Sequence, residues 1–147
     1  MNGILKVGSI HLLMGGISLL LYFITLTNFT HSQAIIISLV SFFLNLVGYL
    51  ILSFKLLQGL GTKEVIVSVF LFLVIGLLLW VSNLAIDDFG SIYFLYHIAG
   101  YSSFIWFVYL FTDMNEMLYE KFGFIFSLVP FLLILIGFYL GRMKRRG

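Results

Sequence analysis

Unbroken apolar runs of about twenty residues constrain this chain more than any other feature. Residues 65–85 read VIVSVFLFLVIGLLLWVSNLA with no charged side chain; similar runs occupy 4–27, 34–54, 91–111 and 124–141, with Lys6 near the start of the first. Twenty helical residues rise about 30 Å, the thickness of a bilayer's hydrocarbon core. Lipid offers the backbone no hydrogen bonds, so only helices and closed barrels span it. Barrel strands are short and alternate polar with apolar residues, which these runs do not. The chain is 62% hydrophobic, with eight basic and six acidic residues in 147, and its mean hydropathy is +1.16. In water it would lack the polar surface to cover itself. The sequence therefore predicts an all-α, polytopic integral membrane helical bundle, a single domain over 1–147 with five apolar helical segments. No internal repeat, low-complexity stretch or soluble domain interrupts it.

Lys6 followed by an apolar run imitates a signal peptide, with Ser32-Gln33-Ala34 as its cleavage site. The run exceeds the roughly 7–15 residues of such a core, so it is expected to remain as a helix. Its small and polar residues, Gly8, His11, Gly15, Ser18, Tyr22 and Thr25, follow steps of three and four and share one helical stripe. Residues 34–54 repeat the pattern with Ser38, Ser41, Asn45 and Gly48, and 124–141 ends in Gly137-x-x-x-Gly141. Such stripes let membrane helices approach closely. Five helices cannot hide every stripe, so some are expected to serve a partner. The turn between the second and third segments, Lys55 to Glu64, contains Gly59 and Gly61. Residues 113–122 predict a short interfacial helix, with Met114, Met117, Leu118 and Phe122 opposite Asp113, Glu116 and Glu120. Pro130 should kink the last segment.

Charge leaves the topology divided. Five crossings place the termini on opposite sides, and the basic residues then split four against four: Lys6, Lys55, Lys63 and Lys121 against Arg142, Lys144, Arg145 and Arg146. If 91–111 is re-entrant or sheltered, four crossings bring every basic residue except Lys121 to one side, as the positive-inside rule prefers. The length of 91–111 places five crossings slightly ahead.

Polar chemistry concentrates around one turn, where Asn83, Asp87, Asp88, Tyr93, Tyr96 and His97 form the candidate ligand-binding set. An ionisable residue in a membrane segment is a functional candidate by default. A headgroup-level turn with a tyrosine belt is the plainer reading, and no metal site is expected because no metal-ligand spacing is matched. Haem held by His11 and His97 fails on depth, the two missing each other by about 10 Å or more, while a single-histidine quinone site stays open. No cofactor is specified. Proton-coupled transport would use carboxylates or lysine at mid-membrane, and none is there. The lack of cysteine removes thiol chemistry. Ser102 and Ser103 match no nucleophile motif, and no Gly-rich phosphate loop occurs.

The expectation is a small non-enzymatic membrane protein, an accessory subunit or homo-oligomer held by small-residue packing. Its expected partners are the lipid bilayer and other membrane subunits or itself, with no nucleic acid. The alternatives are a transporter, channel or ligand-binding protein with an outer-face site at His97, Asp87 and Asp88, and a redox subunit with a quinone site. A multi-pass cell-membrane location is expected, prokaryotic by the Ala-poor, Ile- and Phe-rich composition.

Overall fold

The computed structural model describes residues 2–28, 31–85 and 116–146, and nearly all of them are helical. Four helices result: α1 (Gly3–Asn28), α2 (His31–Leu56), α3 (Thr62–Ala85) and α4 (Glu116–Arg146). The first three are long and apolar enough to cross a membrane. The fourth expected segment, 91–111, lies outside the described residues. Each helix runs past the apolar window that marks it in the sequence, because backbone hydrogen bonding continues into the polar flanks. From Glu116 onward the chain is one 31-residue helix that continues through Pro130, and the first residues of the interfacial helix expected at 113–122 lie outside the described residues. Glu116, Glu120 and Lys121 form its first turns, since no residue there breaks the helical hydrogen-bond ladder.

The connection between α2 and α3 is short. Leu60 N–H donates to the Leu57 carbonyl, and Gly59 takes the third position of that turn with φ of +92°. A side chain there would crowd the backbone, which is why glycine suits it. At the start of α1, the Asn2 side chain accepts from Ile4 N–H at 3.3 Å, an N-terminal cap.

Helix α2 packs on α1 and α4, and α3 packs on the same two, giving a ring in the order α1, α2, α4, α3. Contacts fix the directions. Gly137 lies against Leu50, Gly141 against Phe54 and Arg145 against Gln58, so α2 and α4 run parallel. His11 meets Tyr49 and Ser18 meets Asn45, so α1 and α2 are antiparallel. Gly3 approaches Glu64 and Gly8 approaches Phe72, which makes α1 and α3 parallel. The beginning of α1, the α2–α3 turn and the end of α4 therefore lie at one end of the bundle. Bonds between elements close that end, Arg145 to Gln58 among them. Gly3 N–H donates to the Glu64 carboxylate at 2.6 Å, and the Arg142 guanidinium donates to the Thr62 hydroxyl.

The core is built from Val7, Ile10, Met14, Tyr49, Leu57, Val65, Val69, Phe131, Ile134 and Phe138. Large apolar side chains such as Leu12, Leu20, Phe43, Phe70, Leu78 and Leu132 point outward. A soluble bundle would not expose them, whereas lipid solvates them.

Candidate functional site

His11 stands where all four helices meet. Its ring packs 6.2 Å from Tyr49 of α2, 6.4 Å from Phe72 of α3 and 5.1 Å from Phe131 of α4. It lies eight residues into α1, about 12 Å along the axis. Its Nδ1 is 3.0 Å from the Tyr49 hydroxyl. The hydroxyl donates when His11 carries its proton on Nε2, and accepts when the proton is on Nδ1. Both side chains are wholly buried.

Two turns along α1 lies a second polar layer. Ser18 Oγ is 2.9 Å from the Met14 carbonyl and 2.9 Å from Asn45 Oδ1, while Asn45 Nδ2 donates to the Ser41 carbonyl at 2.9 Å. A hydroxyl has one proton, so Ser18 shares it between two acceptors. Turning the Asn45 amide over would set its oxygen against the Ser41 carbonyl, so the Nδ2 bond fixes its orientation. Asn45 and Ser18 show no exposure, and Ser38 and Ser41 are buried beside them.

Between these layers Met14 closes the gap. It is buried, and its thioether presses on the backbone of Gly48, where an added methyl would stand 2.5 Å from its terminal carbon. An apolar plug thus separates the imidazole–phenol pair from the serine–asparagine pair. The arrangement can hold helices in register.

The small residues singled out in the sequence face neighbours within the chain. A methyl at Gly8 would meet the Phe72 ring at 2.7 Å; at Gly137 the Leu50 carbonyl oxygen at 2.6 Å; at Gly141 the Phe54 carbonyl oxygen at 3.0 Å. Gly15 is buried in α1. Tyr49 bonds to His11 and was missed in the sequence, although it follows Gly48 and lies one turn beyond Asn45. Of the ligand-binding set, Asn83 belongs to the last turn of α3, and Asp87, Asp88, Tyr93, Tyr96 and His97 lie outside the described residues. Among the described residues no three His, Asp or Glu side chains gather as metal ligands. Comparison of the chain with protein-family models, with curated proteins and with solved structures finds no match.

Proposed function

We propose that the chain is a small non-enzymatic membrane protein that works as an accessory subunit or homo-oligomer in a cell membrane. The observation that carries this reading is the interior itself. Four of its buried side chains pair in two layers, His11 with Tyr49 and Ser18 with Asn45, and Met14 is buried between them. Pairs placed in this way hold helices together and leave the outer surface to do the work. Gly8, Gly48, Gly137 and Gly141 are taken up by neighbours inside the bundle, so a partner would meet the larger lipid-facing side chains instead of these glycine stripes. Photocrosslinking in native membranes, followed by mass measurement in mild detergent, tests this. A stable complex or oligomer is expected; a monomer that crosslinks to nothing would remove the reading.

Four crossings accompany this function, with both termini and the α2–α3 turn on the cytoplasmic side. The gathering of Lys6, Lys55, Lys63, Arg142, Lys144 and Arg145 at the same end of the helices supports that orientation.

A second reading keeps a ligand site on the outer face. The directions of α3 and α4 favour it, because the segment 86–115 that joins them departs from and returns to the end opposite the basic residues. That segment carries Asp87, Asp88, Tyr93, Tyr96 and His97. This reading needs residue 115 to lie outside, which thiol labelling of Asn115→Cys in intact cells measures.

A further inference from the structure

The basic end of the bundle is more than a topology signal. We infer that the α2–α3 turn and the end of α4 form a binding surface for the headgroups of anionic phospholipids. Lys55 sits in the last turn of α2 and Lys63 in the first turn of α3, both exposed. The end of α4 is docked onto the same turn, through Arg142 to Thr62 and through Arg145 to Gln58 at 2.9 Å. Lys144 lies 5.8 Å from the Phe54 ring centroid, beside Lys55, and Arg142 lies 5.8 Å from that of Phe138. Five cations are thereby held around one turn.

Little at this end balances them. Glu64 is the one carboxylate there among the described residues, and it accepts the Gly3 N–H. Each guanidinium has five N–H donors in a fork that suits phosphate oxygens. The two contacts above use one donor from each arginine. The dipoles do not supply the missing negative charge: two helices start and two end here, so their end charges offset.

The position of the cations selects a lipid as the source of the phosphate. Leu56, Ile66, Leu140 and Met143 are exposed apolar side chains next to them in the helices. The charged collar thus borders directly on the surface that acyl chains cover, and long basic side chains can keep their stems in the apolar zone. Clusters of this kind at a helix end attract anionic leaflets.

The test measures thermal unfolding of the purified full chain in neutral detergent with added phosphatidylglycerol, phosphatidylcholine or inorganic phosphate. Phosphatidylglycerol is expected to raise the midpoint by about 3 °C or more, with phosphatidylcholine and inorganic phosphate well below that. The rise should fall by at least half in Lys55→Gln/Lys63→Gln and in Lys144→Gln/Arg145→Gln, and persist in Lys121→Gln, which removes a charge toward the other end of α4. Should Lys144→Gln/Arg145→Gln fail to fold because Arg145 docks α4, Lys55→Gln/Lys63→Gln decides alone. An undiminished rise in that variant overturns the inference. So does an equal rise with inorganic phosphate, which would mark a seat for free phosphate. The inference rests on the membrane reading, and the two can fail separately. Equal stabilisation by both lipids in every variant would sustain the membrane reading while overturning the headgroup surface.

Discussion

The His11–Tyr49 bond is a structural cross-brace between α1 and α2, and its worth can be bounded. Buried side-chain hydrogen bonds in membrane bundles contribute on the order of 0.6 kcal/mol, up to about 1.7, because the separated helices find other partners. Tyr49→Phe keeps the ring packing and removes only the hydroxyl, 3.0 Å from Nδ1. It is expected to destabilise the bundle by about 0.6–1.7 kcal/mol, read from unfolding in mixed detergent micelles. His11→Leu removes the imidazole from the Tyr49 hydroxyl in turn. If the bond is the common cause, His11→Leu/Tyr49→Phe costs less than the sum of the single changes. Strict additivity would mean that the two side chains are merely neighbours. The buried face of α1 was legible beforehand: Gly8, His11, Gly15 and Ser18 recur at steps of three and four, and all are buried. The partner was not legible. Spacing within one helix says nothing of its register against another, and Tyr49 reads as one more aromatic among the 25 Phe and Tyr residues of the chain.

At the scale of the helices, the α2–α4 contact is the closest approach whose cost can be assigned to backbone. A methyl group at Gly137 would stand 2.6 Å from the Leu50 carbonyl oxygen and 2.8 Å from Ser53 Cβ. Neither is the end of a flexible side chain, so two parallel helices would have to separate. Gly137→Ala is therefore expected to destabilise by about 1–3 kcal/mol, the range for overpacking. Gly16 supplies the control, since nothing lies within 4 Å of its added methyl and it faces outward on α1. There alanine should be neutral or stabilising by up to about 1 kcal/mol, through helix propensity alone. Equal effects at the two positions, measured by the same micelle unfolding, would show that α2 and α4 are not packed this tightly. Gly48→Ala should lie between them, because the obstructing group is the mobile end of Met14. The glycine spacing in α4 was visible in the sequence, but nothing there named α2 as its neighbour. Helices joined by a short turn are expected to pack together, yet α2 and α3 stand on a diagonal of the ring, and each packs on α1 and α4.

At the scale of the molecule, the decisive relation is between residues far apart in sequence. Counting charges along the chain gave a tie for five crossings because the sequence does not say which ends lie together. Gly3 beside Glu64 and Arg142 beside Thr62 do say so. Both bonds sit at the start of α3, so the first and last helices have their termini at the same end. Any five-crossing arrangement puts the α2–α3 turn and the end of the last helix on opposite sides of the membrane. The arrangement proposed here puts them on one side and places residue 115 on the other. The chain has no cysteine, so single thiols report cleanly. Gly61→Cys sits in open space, and Met143→Cys replaces an exposed side chain. With a membrane-impermeant maleimide, both should label only after the cells are permeabilised, while Asn115→Cys labels in intact cells. Protection of residues 61 and 143 with labelling of 115 gives four crossings with the basic end inside. Labelling of 61 and 143 on opposite sides would overturn the bundle topology itself. Labelling of both from outside, with 115 protected, would keep the bundle and reverse its orientation, against the pull of six cations toward the cytoplasm.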